Sequence, residues 1–339
     1  MSHSTEHPVS EKLIQKIRSA TPENGLLNYR DFIQHALYDS EFGYYRRNAQ
    51  RVGRDPDADF YTSQSLGKVF GLLVVEAVQQ LLESYSQGPI DLKDWSWIEI
   101  GYESDTGWWT KEECPFKEVV RIGPADEIHI EGPSVVFSNE LFDAQPFHRL
   151  LYIDGEWKEL GVDCSGSELK ETVLPELSNE VFNIRHDLPL ESQEGYSLDL
   201  PLATRPLLKQ LTDQDWHGLF VTLDYGKTWP ELAHDFPHGT ARAYYKHEQS
   251  ANLLLQPGQQ DITCHICWDW LTEDLETSNF NHCLLETQEA FFVKHASRQI
   301  EQIISSKPGE FDAQRQTLMH LIHPATMGQQ FQVLSAYRD

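Results

Sequence analysis

Two acids and an amide follow one apolar run closely enough to act together. Residues 135–138 lead into Asn139-Glu140-Leu141-Phe142-Asp143. If the turn after Asn139 is helical, Glu140 and Asp143, three positions apart, point their carboxylates the same way. Carboxylates placed together can hold a planar guanidinium in a fixed orientation. The plainer reading is that Asn139 and Glu140 tie loops together without turnover. A second run, 97–100, ends in Glu99-Ile100-Gly101, as a buried strand does where it enters a nucleotide-binding turn. Glycines in such a turn permit positive φ and a close approach of backbone to ligand. Here Glu103 and Asp105 stand where two more glycines would be wanted. A third run, 219–223, ends in Asp224-Tyr225-Gly226. Asp224 or Tyr225 could border the pocket of the acids. Equally, the three residues could form a tight turn with Gly226 at positive φ.

Other chemistries find less support. Cys264-His265-Ile266-Cys267, with His282-Cys283 further on, has passable spacing for zinc. The first group lies in a strand-like run, however, where positions three apart face opposite sides. No metal is therefore expected. The chain has no His-Glu-x-x-His motif, no nucleophile elbow and no Gly-Lys-Ser/Thr phosphate loop.

The elements that must position these residues read as α/β. Residues 9–40 suggest two helices, and the stretch SLGKVFGLLVVEAVQQLLESY carries the clearest helical stripe. Runs at 97–100, 119–122, 135–138 and 219–223 have the two-sided apolar character of parallel strands, and 128–130 is a weaker candidate. Asp154-Gly155 marks a hairpin inside an inserted region at about 148–215. A helix over FFVKHASRQIEQII and a final strand in QQFQVLSAYR close the chain. The expected division is an N-terminal helical or lid segment over 1–85 and an α/β domain over 86–339. Ligands of such sheets sit at the carboxyl ends of the strands, where Gly101, the 138–140 segment and 224–226 converge.

Composition narrows the partners. With 53 acidic against 27 basic side chains the formal charge is -26. Such a chain cannot release many phosphate counterions, so nucleic acid is not expected, nor an anionic membrane surface. A basic protein or peptide would be attracted. The N-terminus lacks the layout of a secretory signal, and no apolar run approaches the roughly 18 residues of a membrane span. Five cysteines at irregular spacing are expected to be reduced thiols in a cytoplasmic protein. Whether a homodimer forms, with one copy completing the other's pocket, is not written in the sequence.

Several motifs resemble one family when read in order. They are Gly43-Tyr44-Tyr45, Asp59-Phe60-Tyr61-Thr62-Ser63 with Phe70-Gly71, and Asn139 to Pro146, followed by Asp224-Tyr225-Gly226, Gly239 to Tyr244, and Pro257-Gly258 with Asp261-Ile262-Thr263-x-His265. This set resembles the MidA-like family, related to a mitochondrial methyltransferase that helps assemble respiratory complex I. The resemblance implies a class I methyltransferase fold, Rossmann-like with a mostly parallel sheet. It also implies S-adenosylmethionine as donor and a protein arginine as acceptor. On that footing Asn139, Glu140 and Asp143 are the catalytic candidates. Asp59, Thr62, Glu99 and Gly101 would face the donor, with Asp59 and Thr62 on a lid, and Asp224 and Tyr225 would face the acceptor.

The chain departs from that family in two places. Its first strand should end in Glu-x-Gly-x-Gly-x-Gly, yet only Gly101 is present. Glu103 facing the donor carboxylate at ~4 Å would cost about 4 kcal/mol at an effective dielectric of 20, roughly a thousandfold in affinity. Second, only 37 residues separate Gly101 from Asn139. At most one helical crossover fits, since a strand-helix-strand unit needs roughly 30 residues. The acid expected on the donor's ribose is missing from its place, with Glu127 or Glu131 as weak substitutes. Trp108 or Trp109, on a helix that Ser104 or Thr106 would cap, could fill the vacated space. The expectation is a methyltransferase of degenerate donor loop, with a non-catalytic module that holds a basic partner in an acidic cleft as the alternative.

Overall fold

The four apolar runs become the parallel core of one sheet. The computed structural model describes residues 8–46, 67–86, 88–102, 108, 113–246, 248–305 and 312–339. The strands are β1 (Ser96–Ile100), β2 (Glu118–Ile122), β3 (Gly132–Asn139), β4 (Trp216–Asp224), β5 (Asn281–Thr287) and β6 (Gln332–Arg338). Across the sheet they lie in the order β5-β6-β4-β3-β1-β2. The β2, β1, β3 and β4 strands are parallel, while β6 runs antiparallel to β4 and β5 antiparallel to β6. All five residues of β1 are buried, as a strand covered on both faces requires. Trp97, Phe137, Val221 and Val333 share one core with the helix Lys68–Tyr85, which contributes Phe70, Leu73 and other apolar residues.

Two expectations are corrected here. Residues 128–130 form no strand. The single late helix is two, Gln288–His295 and Ser297–Ser305, broken at Ala296 where φ is -125° and ψ 30°. No helix among the described residues is long and apolar enough to cross a membrane.

The chain forms two compact units, each assembled from separated segments. One holds the six-stranded sheet and spans Tyr61–Leu141, Arg205–Gly226 and Trp268–Asp339. The other spans Met1–Phe60, Phe142–Thr204 and Lys227–Cys267. The helix Lys68–Tyr85 thus belongs with the sheet, while Pro8–Ala20 and Tyr29–Tyr38 belong to the other unit, so the fold does not divide near residue 85.

The second unit is built on antiparallel strands. The hairpin expected at Asp154-Gly155 joins His148–Ile153 to Glu156–Asp163, with both turn residues at positive φ, 56° and 78°. Such a turn matches the twist of the paired strands. Arg149, in the first of these strands, is held between two carboxylates. Its Nε donates to Asp199 at 2.8 Å and its Nη1 to Glu171 at 3.0 Å. The Asp199 carboxylate also accepts from the backbone N–H of Thr240 and Ala241, at 2.7 and 2.8 Å. Gly239 sits there at φ 65°, and a Cβ on it would lie 2.3 Å from the same carboxylate. This explains the glycine of the 239–244 motif as a structural requirement.

The turn reaches His265 as well, whose N–H donates to the Thr240 hydroxyl at 3.1 Å. Burial, with Lys227 and Arg242 nearby, pulls the His265 imidazole down to about 4. An unfolded histidine titrates near 6.5. Between those values the unfolded chain binds the extra proton, so this contribution is complete above about pH 6.5 and is lost as the pH falls toward 4.

Two measurements follow. Asp199→Ala leaves Arg149 and two backbone donors without a shared acceptor, and urea unfolding should show a loss of about 3 kcal/mol. Between pH 7 and 4.5, His265→Gln should lose about 2 kcal/mol less stability than the wild type. Parallel stability curves for the two proteins would contradict the histidine assignment.

Candidate functional site at the switch point of the sheet

β1 has β2 on one side and β3 on the other, although the chain visits them in the order β1, β2, β3. Open parallel sheets bind ligands beside such a reversal, at the carboxyl ends of the strands. β1 ends there at Gly101, whose φ of 71° suits glycine, and whose N–H donates to Ile122 O at 2.8 Å. Leu141 covers this turn, its Cδ1 lying 2.7 Å from where a Gly101 Cβ would stand. β2 ends at Gly123, whose N–H donates to Asp126 Oδ2 at 2.8 Å, with the Tyr102 ring alongside. At the end of β3 the buried Ser138 hydroxyl donates to Thr222 at 2.8 Å. Asn139 Nδ2 donates to Glu140 Oε1 at 3.1 Å, and the Glu140 N–H continues the ladder to Leu223 O at 2.9 Å.

The structure places the expected residues unevenly. Glu99 is 3 % exposed and accepts from Arg121 Nε at 3.1 Å, across the β1–β2 pairing. The turn after Asn139 is not helical, because Glu140 takes a left-handed backbone with φ 50°. Asn139 and Glu140 belong to the sheet unit and Asp143 to the other. Asp143 is buried there, its carbonyl accepting from Cys264 N–H at 3.0 Å. In the same unit Tyr45 donates to Asp261 at 2.8 Å, and burial first, then Asp261, pushes its phenol well above the usual value.

Asn139 and Asp224 leave the sheet from opposite faces. Asn139 is registered with Leu223, so the next residue of β4 projects the other way. Asp224 is fully buried and its Oδ1 accepts from Tyr225 N–H at 2.9 Å. The Tyr225 ring lies 4.0 Å from that of Phe331 and packs against the core. Gly226 starts a short strand and does not have positive φ, which corrects the tight-turn alternative.

Asp59, Thr62, Glu103, Ser104, Asp105, Thr106 and Trp109 lie outside the described residues. Trp108 is described, and its ring meets those of Phe70, Trp97 and Phe137 at 5.2 to 5.6 Å. Gly71 makes this approach possible, since a Cβ there would lie 2.5 Å from Trp108 Cβ. Trp108 is therefore part of the covering of the sheet face. The connection from β2 to β3 is only residues 123–131 and contains no helix. Glu131 lies on it, exposed, with His129 at 3.7 Å. Among the described residues no group of three or more His, Cys, Asp or Glu could hold a metal ion.

Two residues of this edge escaped the sequence reading. Leu141 was visible only as part of the 139–146 motif. Asp126 had a local signal in Gly123-Pro124-Ala125-Asp126, a turn in which an acid caps its own backbone.

Comparison with known proteins agrees with this architecture. Residues 111–284 match a family described as "Putative S-adenosyl-L-methionine-dependent methyltransferase". A Drosophila melanogaster protein, "Protein arginine methyltransferase NDUFAF7 homolog, mitochondrial", is 26 % identical over 61 % of this chain and 48 % of its own length. The Xenopus laevis "Protein arginine methyltransferase NDUFAF7, mitochondrial" is 22 % identical over 60 % of this chain and 46 % of its own. The chain thus spans about half the length of these curated relatives. A crystal structure from Burkholderia thailandensis bound to S-adenosyl-homocysteine superposes with a TM-score of 0.81 at 20 % identity, covering 99 % of this chain and 95 % of that one. A native structure from the same organism gives 0.80 at 19 %, with the same coverage. These likenesses establish a class I methyltransferase fold. On its motifs, its fold and its matched segment, this chain belongs to the MidA-like family of S-adenosylmethionine-dependent methyltransferases.

Proposed function

We propose that the protein is an S-adenosylmethionine-dependent methyltransferase for arginine in a basic protein partner, with a donor site that has become weak. The observation that carries the weakening is the helix-free β2–β3 connection beside a Gly101 turn roofed by Leu141.

The described residues fit the donor on one side better than on the other. Asp126, at the end of β2, stands where a carboxylate can accept hydrogen bonds from ribose hydroxyls. Gly101 supplies the turn, but Leu141 must rotate before anything can rest on its Cα. Glu99 is engaged by Arg121 across the β1–β2 pairing. When bound, the donor supplies a methyl group on a sulfonium. The chain's own contribution is to orient the acceptor nitrogen and exclude water. Asn139 and Glu140, at the end of β3, are the groups suited to a guanidinium. The formal charge of -26 favours a basic protein as its source. The names of the curated relatives support an arginine acceptor.

The shortened connection also favours a second reading. A fold stripped of its donor site would hold the same basic partner without turnover.

Calorimetric titration with S-adenosylhomocysteine separates these readings. The expected dissociation constant is roughly 0.1–1 mM, well above a micromolar site. A value in the micromolar range or tighter would remove the weakened site. No binding at several millimolar would leave only the partner-holding module.

A further inference from the structure

The inserted region exposes large apolar side chains on a segment that is held in place. Leu190 is 95 % exposed and Phe182 50 % exposed. Both lie on the stretch between the strands Lys170–Val173 and Ser197–Leu200, within one compact unit. The stretch is tied down along its length. Ser178 N–H donates to Glu159 Oε2 at 2.6 Å, and Glu159 Oε1 lies 2.8 Å from His148 Nδ1, with both of these side chains buried. The helix Asn179–Asn183 starts from that anchor and buries Val181. Leu188 is buried further on, and the carbonyl of the next residue, Pro189, accepts from Trp157 Nε1 at 2.8 Å. Phe182 and Leu190 are therefore displayed by a fixed backbone. Such a backbone has already lost the freedom that binding would otherwise remove.

Two observations say what this surface takes. Arg185 holds its guanidinium 3.7 Å from the Phe182 ring centre, so the ring already serves a cation of its own chain. Glu176, Glu180, Asp187 and Glu191 are exposed on the same stretch, and among the described residues none of the four is ion-paired. Apolar side chains amid charged ones match the arrangement of interfaces, in which an apolar centre is bounded by a polar rim. The sign of the rim selects the occupant. A second copy of this chain would bring the same acids and be repelled, as would an anionic lipid surface. We propose that this stretch docks a basic segment of the protein partner. Apolar side chains of that segment cover Phe182 and Leu190, and its lysines or arginines meet the four acids. The inference rests on the basic partner of the proposed function. It goes beyond that reading by giving the partner a second hold, on the unit that does not carry the six-stranded sheet.

The test uses the full-length protein and two labelled peptides of equal charge, a Lys-Leu-Arg-Ser repeat and a Lys-Gly-Arg-Ser repeat. Wild type should bind the leucine peptide at least about tenfold more tightly, because only that peptide can cover the apolar pair. Phe182→Ser combined with Leu190→Ser should bring the leucine peptide down to the affinity of the glycine peptide. Glu180→Gln, Asp187→Asn and Glu191→Gln together should weaken both peptides and flatten their dependence on salt. All five side chains are exposed, so both variants should melt with the wild type and bind S-adenosylhomocysteine as it does. Equal affinity of wild type for the two peptides would overturn the proposal. So would undiminished binding by either variant, or a wild-type dimer that the serine pair dissolves, since a second copy would then cover the surface. Peptide results as expected, with no S-adenosylhomocysteine bound by any of the proteins, would instead overturn the methyltransferase reading and leave the docking surface standing.

Discussion

The parallel pairing of β1 with a neighbour on each side is the constraint from which the rest follows. Because β2 and β3 flank β1, the chain must cross from one side of it to the other. It does so in the nine residues 123–131. A full strand-helix-strand crossover needs more. No helix can be fitted there, and the crevice at the strand ends is lined by turns. Three such turns meet at this edge, after Gly101, after Gly123 and at Glu140.

What covers the sheet is adjusted to the same economy. Trp108 lies on the face of Trp97 and Phe137, and Gly71 lets it seat against the helix Lys68–Tyr85. Burying an indole among aromatic rings adds apolar contact over that face. The Leu141 side chain does the same over Gly101. Both residues fill space against the sheet, Trp108 on its face and Leu141 at the end of β1.

Much of the architecture was legible because it depends on local pattern. Strands buried on both faces wrote themselves as short apolar runs, and Asp154-Gly155 named its own hairpin. The motif around residues 139–146 marked the end of β3, and that around 224–226 the end of β4. What was not legible depends on long-range geometry. Nothing near Glu140 announces a left-handed backbone, because the demand comes from Leu223 and Gly101, far off in sequence. Helical spacing suggested that Glu140 and Asp143 share a face, but the strand ladder overrode it. The opposite directions of Asn139 and Asp224 depend on register between strands, which no single segment contains. The interleaving of two units was hidden for the same reason, since each gathers segments from three parts of the chain.

The central claim is that the crevice beside β1, β2 and β3 is where this protein meets its ligand. A crystal structure of the protein grown with saturating S-adenosylhomocysteine tests it most directly. The expected result is the nucleoside at the carboxyl ends of β1 and β2, its ribose against Asp126 and Leu141 rotated away from Gly101. Ordered nucleoside elsewhere on the molecule, with Leu141 still seated on Gly101, would contradict the claim.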